Sequence, residues 1–143
     1  MANTSKTIGT HAETRVKNYF NSHGLRCERK ALAGSADEGD LRLYLPMGTE
    51  VTVEVKAGKQ TANYPRSRVD EWKRQTLQES ENSGCPSLLV IVRYMRRLDS
   101  IEVWIPNDQW YDAYSCYKDD ICLPSGWTMM YLGDFVREVL ERN

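Results

Sequence analysis

Histidine is nearly absent from this chain: only His11 and His23 occur, both in the first helical segment or at its end, and no nucleophile motif surrounds either. Ser-His-Asp and Cys-His catalysis therefore lack support. The four cysteines, Cys27, Cys85, Cys116 and Cys122, form no C-x-x-C pair, and three of them lie far downstream of both histidines. Zinc ligand spacing is missing, and buried free thiols are the expected state. No G-x-x-x-x-G-K-[ST] loop is present, so nucleotide hydrolysis has no phosphate cradle. The chain also has no apolar run of about 18 residues and no basic-then-apolar leader, so neither a membrane span nor a secretory signal is expected. The expectation is a cytoplasmic protein with no membrane partner.

What is present suits one globular domain spanning residues 1–143, with 41% hydrophobic and 27% charged residues, long enough to bury a core without metal or disulfide staples. The net charge of −1 hides an uneven distribution. Residues 1–97 carry 16 Lys/Arg against 11 Asp/Glu, whereas residues 98–143 carry 3 against 9. Such asymmetry points the first two-thirds toward a polyanion.

The most informative stretch is Asp40-Leu41-Arg42-Leu43-Tyr44-Leu45, a Pro46-Met47-Gly48-Thr49 joint, and Glu50-Val51-Thr52-Val53-Glu54-Val55-Lys56. Both arms alternate apolar with polar, the period of half-buried strands, and the joint reads as a hairpin turn. Leu41, Leu43, Leu45, Val51, Val53 and Val55 then face a core, while Asp40, Glu54 and Lys56 share the other face. A four-residue loop over 46–49 sets Asp40 opposite Val55, and a bulge brings it level with Glu54. Two converging carboxylates form an oxygen-rich site for a hard divalent cation such as Mg²⁺. Lys56 beside them is placed to orient a water or steady charge on a phosphate under attack. The same acid-x-lysine pattern also occurs on ordinary solvated sheet faces.

Asp40, the hairpin and Glu54-Val55-Lys56 together resemble the PD-(D/E)XK nuclease motif. Adding Glu13, the Gly34-Ser35 loop, Gly39-Asp40 and a later helix with Gln75, the pattern over residues 8–94 is most similar to archaeal-type Holliday junction resolvases. Gly39 stands where proline is common in the superfamily. The resemblance implies a restriction-endonuclease-like core and Mg²⁺-dependent hydrolysis of DNA phosphodiesters that leaves a 5′-phosphate and a 3′-hydroxyl, with Mn²⁺ able to substitute. It implies Asp40, Glu54 and the Val55 carbonyl as metal ligands, Lys56 as the group that orients water, and Glu13 on a second ion or a metal-bound water. Its substrate is a four-way or other branched DNA, which a homodimer cuts with two sites. A repair or restriction-type nuclease, or a non-cleaving DNA-binding protein, shares the same pattern.

Along the chain, Met1 to Thr7 reads as a frayed end. Thr10-His11-Ala12-Glu13 fits a capping box opening a helix through Ala12, Val16, Tyr19 and Phe20, stopped by Gly24. Glu13 thus has two open roles, bonding back to Thr10 or facing the metal site. A short basic strand covers Leu25 to Lys30, followed by the loop 31–39, whose small residues allow close backbone approach and phosphate binding. Ser67 and Asp70 suggest the start of a second helix ending near Gly84, with Val69, Trp72 and Thr76 inward. Arg26, Arg29, Lys30, Ser35, Lys59, Arg66, Arg68, Lys73 and Gln75 are the candidate DNA contacts.

Ser87 to Arg93 is a continuous apolar strand, best placed at the centre of the sheet. Ile101 to Ile105 is its hairpin partner, and Pro106-Asn107-Asp108 opens a short helix through Tyr114. Trp127 to Leu132 reads as a final strand and Asp134 to Leu140 as a C-terminal helix. Trp104, Trp110, Tyr111, Tyr114, Tyr117, Trp127 and Tyr131 sit in acidic surroundings, which favours packing or a dimer interface over base stacking. The element order gives a mixed α/β, or α+β, sheet flanked by helices, with residues 95–143 as a C-terminal elaboration.

Overall fold

A computed structural model of the chain describes residues 5–30, 38–94, 101–110 and 126–141. Helix α1 (Ser5–Ser22) leads into β1 (Cys27–Arg29), β2 (Leu41–Tyr44) and β3 (Glu50–Lys56). A 3-10 turn at Lys59–Thr61 and α2 (Arg66–Ser83) connect to β4 (Ser87–Ile91), then β5 (Glu102–Pro106), α3 (Asn107–Trp110), β6 (Trp127–Tyr131) and α4 (Leu132–Glu141). Among the described residues the strands form one six-stranded sheet in chain order, β1 to β6. Only β3 and β4 run parallel, joined through α2, and every other neighbouring pair is antiparallel. This is the helix-flanked mixed α+β sheet that the sequence led us to expect.

Alternation along the strands divides the core into two layers. Leu41, Leu43, Leu45, Val51, Val53 and Val55 join Leu88, Val90 and Val103 beneath Val16 and Phe20 of α1 and Phe135, Val136 and Val139 of α4. Phe135 meets the edges or faces of both Phe20 and Trp110, with ring centroids 6.2 and 5.8 Å apart. On the other side, Leu89 and Ile91 pack against Val69 and Trp72 of α2. β4 is therefore buried on both faces, as its uninterrupted apolar run requires. Each fully buried Leu, Ile, Val or Phe contributes about 1.5–3 kcal/mol relative to an exposed one.

The face of β3 that carries charge is not solvated. Thr52 and Glu54 are buried there, together with Arg42 of β2, because α2 covers them. Arg42 is compensated by Glu50 at 2.9 Å and Glu38 at 3.6 Å.

Three expectations about boundaries are corrected. α1 begins at Ser5, so residues 5–7 are helical and Thr10 lies inside the helix, where it opens nothing. α2 begins at Arg66 after an extended Pro65, so Ser67 is also interior; proline presets the entering φ and replaces a side-chain cap. The β2–β3 loop is five residues long, 45–49, closed by a hydrogen bond from Leu45 N–H to Thr49 O at 2.9 Å. The helix stops were read correctly: Gly24 and Gly84 both take positive φ, 86° and 73°. The Gly34-Ser35 loop, the continuation of α3 to Tyr114, Tyr111, Tyr117, Cys116 and Cys122 lie outside the described residues.

Candidate active site

The loop length settles the register of the acids. Leu41 pairs with Val53 and Arg42 with Thr52, so Asp40, just before β2, lies level with Glu54 without any bulge. Asp40 N–H donates to Val53 O at 2.9 Å, and Val55 N–H donates to Asp40 Oδ2 at 2.9 Å. The Asp40 side chain thereby continues the β2–β3 ladder by one rung and is fixed on the strand carrying Glu54. Gly39 makes this approach possible: it has φ +92°, and a Cβ there would lie 2.9 Å from Thr52 Cγ2 and 3.3 Å from Val53 O.

Glu54 is 3% exposed. Burial pushes its carboxyl well above the ordinary range, and the hydrogen-bonded Asp40 carboxyl and the charge of Glu79 push the same way, against the opposing effect of Lys56. A buried carboxyl that resists ionisation beside a second carboxyl is a site in want of positive charge.

Lys56 Nζ lies 3.4 Å from Glu54 Oε2 and donates to Gln75 Oε1 at 2.8 Å. Gln75 Nε2 in turn donates to Glu79 Oε1 at 3.2 Å. A carboxylate only accepts, so Glu79 fixes the Gln75 amide with its oxygen toward the lysine. Glu13 pairs with Arg29, which also donates to Thr14 Oγ1 at 2.7 Å. The Glu13 carboxyl is raised by burial and by the charge of Asp40, against the lowering effect of Arg29. Its side chain thus faces the acids across the sheet edge, and with Thr10 inside the helix the capping role disappears.

These groups surround one open cleft of about 560 Å³, lined by Glu13, Asp40, Glu54, Val55, Lys56 and Gln75 together with Gly9, Gly58 and Lys59. It lies at the carboxyl end of β3, beside the parallel β4, where open α/β sheets commonly bind ligands. Among the described residues no group of three or more His, Cys, Asp or Glu side chains is close enough to hold a metal. Asp40 and Glu54 alone nevertheless suit Mg²⁺, which takes one or two carboxylates and completes its shell with water and substrate phosphate.

The candidate DNA contacts divide by position. Lys59 and Gln75 line the cleft. Arg29 is engaged with Glu13, and Lys30 N–H donates to Asp40 O at 3.0 Å, placing Lys30 at the rim. Arg66 and Arg68 are exposed at the start of α2. Arg26 pairs with Glu28 and lies over the Tyr44 ring. Lys73 points to β5 and β6, with Nζ 4.9 Å from the Trp104 ring centroid and 5.6 Å from that of Trp127. Ser35 lies outside the described residues.

Glu79 was missed in the sequence. Its one visible signal is a charged residue in line with Trp72 and Thr76 on the inner stripe of α2, at i+4 from Gln75. Cys27 is a buried free thiol whose pKa burial pushes up to about 12, and Cys85 is also free.

No helix of the described residues is long and apolar enough to cross a membrane. No protein-family model matches the chain, and no curated protein matches it in sequence. Among solved structures it is similar to Archaeoglobus fulgidus Hjc, a Holliday junction resolvase from an archaeal hyperthermophile, at 16% identity and a TM-score of 0.48, over 87% of this chain and 89% of that one.

Proposed function

We propose that this protein is a divalent-metal-dependent DNA endonuclease. The observation that carries the reading is the level placement of Asp40 and Glu54, with Lys56 beside them, in one open cleft. Asp40 and Glu54, with the Val55 carbonyl, are the residues that would hold Mg²⁺ or Mn²⁺, and Glu13 would take a second ion or a metal-bound water. When bound, the cation supplies Lewis-acid stabilisation of the phosphate charge and lowers the pKa of water.

The chain's own residues do the rest. Lys56, held between Glu54 and Gln75, orients a water toward phosphorus and balances charge on the phosphate oxygens. Water attacks phosphorus and gives a proton up to solvent, the bond to the 3′ oxygen breaks, and that oxygen takes a proton from solvent to leave as the 3′-hydroxyl, with the phosphate remaining on the 5′ oxygen. Lys59 and Lys30 at the rim meet flanking phosphates without reading bases.

The finer reading is a homodimeric Holliday junction resolvase and rests on the motif resemblance of Glu13, Asp40, Glu54-Val55-Lys56 and Gln75. Two nicks on opposed strands need two such sites, which a two-fold dimer provides. The test is incubation of the protein with labelled four-way junction, duplex, flap and single-stranded DNA, each with Mg²⁺, Mn²⁺ or EDTA. Divalent-dependent cutting, strongest on the junction, is the expected result. Binding without cutting under all metal conditions would leave a DNA-binding protein. Paired nicks in a cruciform plasmid, together with a dimer mass by light scattering, test the resolvase assignment separately.

A further inference from the structure

Beside the cleft lies a second recess of about 190 Å³, which shares Ile8, Ala57 and Gly58 with it and is otherwise walled mainly by His11, Arg15, Val92, Arg93 and Tyr94. Helix α1 serves both cavities: Gly9 and Glu13 face the cleft, whereas His11, Ala12 and Arg15 face the recess. Their linings differ in charge. The cleft holds Glu13, Asp40 and Glu54 alongside Lys56 and Lys59, while among the described residues no carboxylate lines the recess.

Its two arginines are not equivalent. Arg93 donates from Nε to Glu102 Oε2 at 2.8 Å and lies over the Tyr64 ring, 4.4 Å from its centroid, so its charge is already balanced. Arg15 is exposed and has no ion-pair partner among the described residues; His11, one turn earlier, is exposed on the same helix face. The wall between the cavities is held in place from beneath. The buried Thr61 hydroxyl lies 2.8 Å from Gly58 O and 3.1 Å from Val92 O, and it accepts from Tyr94 N–H at 2.8 Å. The exits of β3 and β4 are thereby tied together before any ligand arrives.

We infer that the recess is a phosphate subsite for the DNA strand whose scissile phosphate occupies the cleft, with Arg15 and His11 as its contacts. The inference rests on the function proposed above and names where the strand leaves the acidic site. A phosphodiester entering an acid-lined cleft gains from a hold outside it, and a neighbouring phosphate held by Arg15 supplies one. Such contacts set register along the backbone and carry no base preference.

Salt dependence of binding reads this directly, since each neutralised phosphate contributes about 0.9 to the slope of log K against log salt on duplex DNA. Affinity of the full chain for duplex and junction oligonucleotides is measured with Ca²⁺ in place of Mg²⁺ over about 50–200 mM salt. Arg15→Ala is expected to lower the slope by roughly one and to weaken binding at every sequence tested, with a further loss in His11→Ala/Arg15→Ala. Arg15→Lys restores the slope. Arg137→Ala, which removes an arginine paired with Asp134 on α4, retains the wild-type slope. Thermal melting of each variant confirms an unchanged fold. A double variant that binds with wild-type slope and affinity overturns the subsite, even where the wild-type protein binds and cuts DNA. A wild-type protein that binds no DNA overturns the proposed function, and the subsite with it.

Discussion

Asp40 and Glu54 face each other across the last rung of the β2–β3 ladder, with Val55 N–H donating to Asp40 at 2.9 Å and the two carboxyl groups in hydrogen-bonding contact. Their proximity makes the metal-free site dependent on pH. Glu54 binds its proton more tightly in the folded than in the unfolded chain, whose reference value is 4.5. The stability it contributes is therefore complete below that value and is lost as pH rises from there through the raised folded pKa. A divalent cation reverses this by displacing the proton. We expect Mg²⁺ or Mn²⁺ to raise the melting temperature more at pH 8 than at pH 5 and to release protons into weak buffer. At a cation concentration of 100 Kd the gain is about 2.7 kcal/mol. Asp40→Asn and Glu54→Gln should abolish both cleavage and the metal-induced thermal shift while DNA binding persists, because affinity comes from Lys/Arg contacts with phosphates. Full cleavage by either variant excludes the assigned metal site.

Lys56 separates chemistry from metal capture. Its amine contacts both Glu54 and Gln75 but donates no oxygen to a cation. Lys56→Ala should reduce single-turnover cleavage by about 10²- to 10³-fold, the usual cost of removing one group that stabilises developing charge. The Mg²⁺-induced thermal shift should remain. Loss of both together would make Lys56 structural.

Gly39 tests the scaffold without touching a charge. Its φ of +92° and the 2.9 Å approach of a Cβ to Thr52 Cγ2 leave alanine no strain-free position. Gly39→Ala should cost about 1–3 kcal/mol in denaturant unfolding, measured at constant m value. It should also impair cleavage, although every acid is present, because Asp40 is the next residue. An unaltered stability and rate would show that this approach is unimportant.

Alternation made the strands, their inward faces and the pairing of Asp40 with Glu54-Val55-Lys56 legible, because period two is a direct consequence of the pleat. Register was not legible. The alternation reads Leu45 as the end of the first arm and Pro46-Met47-Gly48-Thr49 as the joint, whereas the Leu45–Thr49 hydrogen bond makes the loop five residues and brings Asp40 level with Glu54 without a bulge. Thr10 and Ser67 misled for a related reason, since a capping pattern has no independent mark to distinguish it from the same residues inside a helix. Glu79 was hidden because a glutamate on a helix reads as solvent-facing. It is buried here only because α2 lies across the charged face of β3, a tertiary fact.

Lys59 and Lys73 both read as DNA contacts in the sequence, yet they lead to opposite predictions. Lys59 lines the cleft, whereas Lys73 holds its amine over the rings of Trp104 and Trp127, on the opposite side of α2 from Gln75. A cation above an aromatic face is worth about 0.5–1 kcal/mol at exposed sites, and the lysine stem adds packing. Lys73→Ala should therefore lower unfolding free energy by about 1 kcal/mol and alter tryptophan fluorescence, with little change in the salt slope of DNA binding. Lys59→Ala should do the reverse, leaving stability within about 0.5 kcal/mol and reducing the slope by roughly one. The pair controls for net charge, since each variant removes one positive charge. Should Lys73→Ala lose DNA affinity as strongly as Lys59→Ala, the DNA path must extend over α2 to the tryptophan face of β5 and β6, and the cleft alone would no longer define the nucleic-acid surface.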